Sequence, residues 1–466
     1  MEASSVPVAE TKSVGISYRL LRLFTVIYPG EAAKALLLFL NVFLLLFAYY
    51  IIKPVRDALI LTGQSAEIKS YMGAAQAVLL IFVVKAFSKV ASKFPRHLLI
   101  TWVTLFFISN LILFYILDLV GVPISVMGIV FFIWIGIYNL LVPAQFWGFA
   151  NDLYSEESGK RLFPLIAFGA TLGALVGSIV SKKLWKPLGS YKMMLVTAAV
   201  LGLCILLAIF IHKREIRKTV DSTGKAAADM EAKKKIQEQP LKAGGGFRLV
   251  FKSQYLLYIA IVIALYNFIN QTGEYIFSKV VARTAQKALA AGATGGLSME
   301  QYIGQTFSDY QFWTNIAAMV IQLFLVSRIF KWVGVAGALF VFPLMVLGGY
   351  GLITMGAALL IVKWVKVLEN GTDYSLMNTT KHALYLITTR EEKYKAKAAI
   401  DTFFVRGGDF CGGLLVFVGT TFLAFKAVEN YAIVNVVSVL IWIFLCFLII
   451  REYKKIKTQR GVGPTE

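Results

Sequence analysis

The residues most able to do chemistry are charged side chains inside long apolar segments. In segment 353–385, five polar residues fall within about 80° of one another on a helix of 100° per residue, namely Lys363, Lys366, Asn370, Asp373 and Lys381. A charge at bilayer depth costs about 2.5–3.5 kcal/mol even on the most lenient scale. A continuous polar face therefore predicts the wall of a water-filled path rather than a surface in contact with lipid.

A second apolar segment, 254–278, has a similar polar face, formed by Asn267, Asn270, Gln271, Glu274 and Ser278. Segment 34–56 ends in Tyr49, Lys53, Arg56 and Asp57, and segment 123–150 ends in Gln145, Trp147, Asn151 and Asp152. Segment 397–425 contains Asp401, Arg406 and Asp409. Arg406 and Asp409 stand three residues apart on one helix face, and we expect them to pair with each other. The two long polar faces exceed what such pairing requires.

These charges favour an anionic cargo. The cations are Lys53, Arg56, Lys363, Lys366 and Lys381, with Lys395 and Lys397 at the predicted inner mouth of the path. Lysine and arginine side chains suit phosphate and carboxylate groups. The acids Asp152, Glu274 and Asp373 can position these bases, take up a proton or hydrogen-bond a polar group, while nearby tyrosines can stack on a ring. The residues alone predict a transporter of an organic anion, with a phosphorylated anion favoured.

Several other kinds of chemistry are excluded by the sequence. The chain has no GxxxxGK[ST] loop, so it has no ATPase of that type to drive transport. His97, His212 and His382 lack the spacing of metal ligands, and no catalytic triad is evident. Its three cysteines lie in apolar runs and form no disulfide framework. We therefore expect no enzyme, no cofactor and no cleavable signal peptide, and transport by exchange or ion coupling.

The elements that position these residues must be membrane helices. Of the 466 residues, 58% are hydrophobic and only 16% are charged, and the mean hydropathy is +0.71. Soluble domains carry about 25% charged residues. Helical spans need roughly 20 apolar residues, and the sequence predicts twelve of them, at 34–56, 70–90, 98–119, 123–150, 163–182, 190–211, 254–278, 308–329, 332–351, 353–385, 397–425 and 430–450. The predicted fold is all-α.

The polar segment 212–250 divides these spans six plus six. The predicted organisation is an N-terminal segment 1–33, a first half 34–211, a linker 212–250, a second half 251–450 and a tail 451–466. The two halves share a pattern at one constant offset, since Glu156, Glu157, Lys160, Gly173 and Gly177 recur as Glu391, Glu392, Lys395, Gly408 and Gly412. Related halves with a substrate site between them are typical of the major facilitator architecture.

The net charge of +21 reflects topology rather than a nucleic-acid partner. Most of the 47 lysines and arginines fall in the inner segments if both termini are cytoplasmic, as the positive-inside rule requires. The glycines of the sequence Gly169-x3-Gly173-x3-Gly177 form one smooth ridge, and we expect this ridge to pack closely against a neighbouring helix.

Two stretches carry a more specific pattern. The first is Phe146–Asp152 followed by Lys160–Leu165, and the second is Thr372–Leu376 and Lys381 followed by Lys395–Asp401. Together with Arg56-Asp57 and with Glu274 and Lys279, they resemble the ATP:ADP antiporter family of plastids and obligate intracellular bacteria. The similarity extends from about residue 30 to residue 450.

The resemblance implies twelve helices of the major facilitator type and exchange of ATP for ADP, with phosphate, by alternating access. It also implies functional roles for Arg56, Asp152, Glu274 and Lys381, and Lys53 can share the part of Arg56. Arg56 stands where the family usually has lysine, and Asp152 where relatives often have glutamate or glutamine. The expected protein is a monomer in the bacterial inner membrane, with both termini cytoplasmic.

Two alternatives stay open on the residues alone. One is a proton-coupled or exchange transporter of another phosphorylated organic anion, with Glu274 as the proton site. The other is a membrane protein that does not transport and uses the linker 212–250 as a docking arm.

Overall fold

The computed structural model describes residues 28, 31–91, 94–154, 156–221, 245–389 and 391–459, and every regular element among them is a helix. A helix satisfies all its backbone hydrogen bonds within one segment, which is what a lipid environment demands. The all-α expectation is confirmed for the described residues. Most of the predicted N-terminal segment and most of the predicted linker lie outside them.

The N-terminal helices are α1 Ala32–Gly63, α2 Ala66–Ala91, α3 Arg96–Leu119, α4 Ile124–Leu153 and α5 Glu156–Asp221. The last is bent sharply at Gly189, whose φ of 67° and ψ of −176° are non-helical. A positive φ favours glycine because it has no Cβ. The predicted spans 163–182 and 190–211 both fall on α5, one on each side of this residue.

The C-terminal helices begin with α6 Gly246–Lys252, α7 Gln254–Ala290, α8 Met299–Val320 and α9 Val326–Met355, where α9 is bent at Gly334. A discontinuous segment follows, made of α10 Leu359–Thr372, a π-helical turn Asp373–Met377 and α11 Asn378–Leu384. The chain then forms a 3-10 turn Tyr385–Ile387, a π turn Glu392–Ala396, α12 Lys397–Ala399, a π turn Ile400–Phe404, α13 Val405–Thr421 and α14 Val428–Gln459. Another π turn, Ile321–Leu325, joins α8 to α9.

Among the described residues, nine helical stretches are long and apolar enough to cross a membrane. We call the end of the molecule where α1 begins side A and the opposite end side B. The turns at Gly189 and between α1 and α2 lie at side B, whereas the loops after α4 and after α11 lie at side A.

The predicted glycine ridge packs against α1, as expected. A Cβ at Gly173 would lie 2.2 Å from the carbonyl oxygen of Phe43, and a Cβ at Gly177 would lie 2.7 Å from that of Phe47. Such distances are far below van der Waals contact, so only glycine allows the two backbones to approach this closely.

The C-terminal helices repeat this contact. A Cβ at Gly408 of α13 would lie 2.2 Å from the carbonyl oxygen of Ala264 in α7, and one at Gly412 would lie 3.0 Å from that of Phe268. The helix pair α7–α13 therefore packs in the same way as the pair α1–α5.

The hydrogen bonds that join N-terminal to C-terminal helices cluster at side B. The Trp185 indole of α5, fully buried, donates to the Ser308 hydroxyl of α8 at 2.9 Å, and the Ser181 hydroxyl also lies 2.9 Å from it. Lys69 of α2 donates to the Ser278 hydroxyl of α7 at 2.7 Å. The two sets of helices are thus held together at this end.

At side A, the described ion pairs stay within one set of helices. Arg161 pairs with Glu31 at 3.0 Å and Lys34 pairs with Glu215, all four in the N-terminal part. Lys381 pairs with Asp401 at 3.1 Å in the C-terminal part. The polar contacts between the two sets are therefore asymmetric along the axis of the bundle.

We predict that Gly173→Val destabilises the protein by about 1–3 kcal/mol, because the added methyl groups force α5 away from the Phe43 carbonyl. The measurement is thermal unfolding of the purified protein in detergent. Gly202→Ala on the same helix is the control, since no atom lies within 4 Å of its Cβ position. Equal stability of the two variants would contradict the close packing.

Candidate functional site

A polar cavity of about 260 Å³ lies between the two sets of helices. The main lining residues are Tyr49, Lys53, Arg56, Asp57, Lys69, Phe132, Asn139, Asn270, Gln271, Glu274, Tyr275, Tyr310, Asn370, Tyr374, Arg406 and Asp409. From the polar face predicted on α7, Asn270, Gln271, Glu274 and Ser278 line the cavity, whereas only Asn370 does so from the face predicted on segment 353–385. We call it the central cavity.

The α1 wall of the central cavity is rich in cations. The buried carboxylate of Asp57 accepts a hydrogen bond from the Arg56 guanidinium at 3.0 Å. It also forms an ion pair with the Lys69 ammonium at 2.7 Å. The Arg56 guanidinium lies 5.1 Å from the centre of the Phe132 ring. Two cations therefore share one carboxylate, as charges away from water require a partner.

Lys53 completes this wall. Its Nζ lies 5.8 Å from the ring centre of Tyr49 and 5.3 Å from that of Tyr50, in the range of cation–π contacts. Lys53 forms no ion pair with any residue that the structure describes. An anion in the cavity would therefore meet this ammonium without first breaking a salt bridge.

The opposite wall presents Glu274 of α7. Its Oε1 accepts hydrogen bonds from the Tyr310 hydroxyl and from the Asn370 amide, each at 3.3 Å. The Lys366 Nζ lies 3.7 Å from the same oxygen. Side-chain exposure of Glu274 is 26%, so this carboxylate faces the cavity.

Behind Glu274 lies a buried network centred on Lys366, whose side chain is fully enclosed. Its Nζ lies 3.1 Å from the Glu369 carboxylate and donates to the Asn270 side-chain oxygen at 2.7 Å. The Tyr350 hydroxyl donates to Glu369 at 3.0 Å. A Cβ at Gly273 would lie 1.9 Å from the Tyr350 oxygen, so this glycine makes room for the network.

A second cavity, of about 460 Å³, lies toward side A. Tyr266, Asn267, Asp373, Tyr374, Lys381 and Asp401 are among its lining residues. Tyr374 belongs to both cavities and lies in the π turn Asp373–Met377. Single π turns inside α-helices often occur at functional sites. The two cavities therefore follow one another along the discontinuous segment α10–α11.

The structure brings together most of the predicted site residues. Lys53, Arg56, Asn270 and Glu274 line the central cavity, and Asp373 and Lys381 line the second. The predicted pair Arg406–Asp409 forms at 3.1 Å, which confirms that expectation.

Two predicted site residues lie outside both cavities. Asp152 is exposed near the side A end of α4. Lys395 pairs at 2.7 Å with Glu391, one helical turn earlier. Lys363, which belongs to the predicted polar face of α10, pairs with Asp309 near side B, and Lys182 shares that carboxylate.

Sequence reasoning missed three important residues, namely Lys69, Glu369 and Asp309. Lys69 falls just before the predicted span 70–90, whereas the structure places it on helix α2, which begins at Ala66. Glu369 lies at about 120° from Lys363 on the helical wheel, outside the predicted stripe. Its position three residues after Lys366 was the available signal, because such pairs meet on one helix face.

Solved structures with a similar fold are membrane transporters. A mutant of the nucleoside transporter NupG is similar with a TM-score of 0.64 and 11% identity, covering 89% of this chain and 99% of that one. A bacterial homologue of the human lysosomal transporter Spinster, inward-facing and unoccupied, has a TM-score of 0.57 and 14% identity, covering 92% of this chain and 99% of that one. The chain therefore shares the helical fold of these two transporters.

Sequence comparison identifies the family. Residues 125–453 match the family described as TLC ATP/ADP transporter, and the chain belongs to this family. ADP,ATP carrier protein 1 of Chlamydia trachomatis is 25% identical, with 88% of each chain covered. ADP,ATP carrier protein 5 of Rickettsia bellii is 25% identical, with 93% of this chain and 96% of the relative covered. The resemblance seen in the sequence is confirmed, and the protein is a transporter rather than an enzyme.

We predict that Lys366→Met destabilises the protein by about 3–5 kcal/mol, because it leaves Glu369 buried without its counter-charge. The measurement is thermal or chemical unfolding in detergent. Lys183→Met, which changes an exposed lysine, is the matched control. The double variant Lys366→Met with Glu369→Leu should recover part of the lost stability, because it also removes the buried carboxylate. A Lys366→Met protein as stable as the control would contradict the prediction.

Proposed function

We propose that this protein exchanges ATP for ADP across a membrane, with phosphate accompanying ADP, by alternating access of one central site. The observation that supports this most strongly is the α1 wall of the central cavity, where Lys53, Arg56 and Lys69 face a single carboxylate, Asp57. Such a surplus of cations suits the phosphates of a nucleotide. The family and the names of its relatives, ADP,ATP carriers, agree with that substrate.

We further propose twelve membrane spans in two halves. The bends at Gly189 and Gly334 divide two of the nine long helical stretches, and the segment α10–α11 adds one more span. The glycine contacts of α5 on α1 and of α13 on α7 support two related halves. The proposed boundaries are 34–211 and 251–450, with a linker at 212–250 and terminal segments at 1–33 and 451–466.

The clustering of contacts between the halves at side B supports a state that is open toward side A. If both termini are cytoplasmic, as the charge distribution favours, side A is the inner face of the bacterial inner membrane. A nucleotide would then enter past the second cavity and reach the central one. One chain holds a complete path, which favours a monomer.

Residue roles follow from this path. Arg56 and Lys53 neutralise phosphate charge in the central cavity, with Asn270 beside them on the facing wall. Lys381 and Asp373 receive the nucleotide in the second cavity, where Lys381 must leave Asp401 to do so. Asp152 and Lys395 act at the side A rim, and Glu274 is the acidic determinant in the central cavity.

Removing any one of these cations should strongly reduce exchange. We expect Lys53→Ala, Arg56→Ala and Lys381→Ala to lower the uptake of labelled ADP into ATP-loaded proteoliposomes, by about 10-fold or more for each lost charge-assisted contact. Lys183→Ala, an exposed lysine outside both cavities, should leave uptake unchanged.

Intact uptake by the three variants would show that the site is wrong. Uptake that ignores internal nucleotide and collapses with an uncoupler would instead favour proton coupling over exchange.

A further inference from the structure

The two walls of the central cavity carry opposite uncompensated charge. The α1 wall has three cations, Lys53, Arg56 and Lys69, but only one carboxylate, Asp57, which pairs with Arg56 and Lys69. The excess on this wall is positive. Lys53 carries it most openly, because no described carboxylate lies within ion-pair distance of its Nζ.

On the α7–α10 wall, carboxylates outnumber cations. The carboxylates of Glu274 and Glu369 share one cation, Lys366. The Lys366 side chain is fully enclosed, and its Nζ is already held by Glu369 and by the Asn270 side-chain oxygen. It therefore cannot present itself to a phosphate without dismantling a buried network.

A second cation on this side is neutralised as well, since Arg406 pairs with Asp409 at 3.1 Å. What faces the cavity from α7 is the partly exposed carboxylate of Glu274, oriented by hydrogen bonds from Tyr310 and Asn370. An ionised carboxylate accepts hydrogen bonds and donates none, so it repels a phosphate and suits a hydroxyl or an amino group.

We infer that a nucleotide binds the central cavity in one orientation, with its phosphates against Lys53 on the α1 wall and its nucleoside against Glu274 on the α7–α10 wall. This inference rests on the proposed function. It makes Glu274 a determinant of nucleoside selectivity, acting on the ribose hydroxyls or the amino group of the base. Lys53 is the corresponding determinant of phosphate number.

The test is equilibrium binding of ADP, AMP, 2′-deoxy-ADP and GDP to the purified protein in detergent. Two ratios are measured. The phosphate ratio is the Kd for AMP divided by the Kd for ADP. The nucleoside ratio is the Kd for a nucleoside analogue divided by the Kd for ADP. The analogue used is the one, 2′-deoxy-ADP or GDP, that binds more weakly to the wild type.

Lys53→Gln should lower the phosphate ratio by about tenfold and leave the nucleoside ratio unchanged, because one charge-assisted contact to phosphate is lost. Glu274→Gln should lower the nucleoside ratio and leave the phosphate ratio unchanged. Lys53→Arg and Glu274→Asp preserve the charges and should keep most of the wild-type ratios, and Lys183→Gln should change neither ratio.

The orientation is overturned if the two variants exchange their effects, if each alters both ratios equally, or if the wild type binds ADP without discriminating against either nucleoside analogue. A wild-type protein that binds none of these nucleotides contradicts the proposed function, and the orientation with it. If Glu274→Gln does not fold, the ratios measured for Glu274→Asp and Lys53→Gln test the orientation instead. A change of the nucleoside ratio in Lys53→Gln is by itself enough to overturn the inference.

Discussion

The cost of placing charge away from water governs this molecule more than any other constraint. Each ionised group at membrane depth must find a partner, water or a substrate. Asp57 is held by Arg56 and Lys69, and Lys366 is enclosed by Glu369 and Glu274. Lys53 takes no part in these ion pairs and instead makes cation–π contacts with the rings of Tyr49 and Tyr50. The cavity is therefore built around a charge imbalance that an anion can relieve.

The same constraint explains why exchange is a reasonable mode of transport. In this structure, Arg56 pairs with Asp57 and Lys381 pairs with Asp401. On the proposed roles of these residues, the phosphates of a nucleotide would replace part of that pairing, so binding would change the charge balance of the site. The glycine contacts hold α5 closely against α1 and α13 closely against α7, which suits a rigid-body movement of one set of helices against the other.

The sequence predicted the all-α fold and much of the site, because both follow from local patterns. The faces of α7 and α10 that line the central cavity could be seen from helical spacing alone, and Gly173 revealed a close approach. The position of Lys69 in the site could not be predicted from helical spacing, because it depends on contacts with Asp57 and Ser278, which lie on other helices. The distant Lys363–Asp309 pair and the contacts of Lys366 with Asn270 and Glu274 of α7 likewise depend on tertiary packing. The π turn Asp373–Met377 also shifts the register of the polar face, which no periodicity with a fixed angle can anticipate.

If nucleotides pass by alternating access, side B must open during every exchange. The hydroxyl oxygens of Ser181 in α5 and Ser308 in α8 lie 2.9 Å apart at this end, so Ser181→Cys with Ser308→Cys can form a disulfide there. The exposed Cys411 is replaced by serine, and the cross-link is verified by mass spectrometry. ADP/ATP exchange in proteoliposomes should stop on oxidation and return on reduction, whereas each single cysteine variant should be insensitive. Full exchange by the cross-linked protein would contradict alternating access through the central cavity.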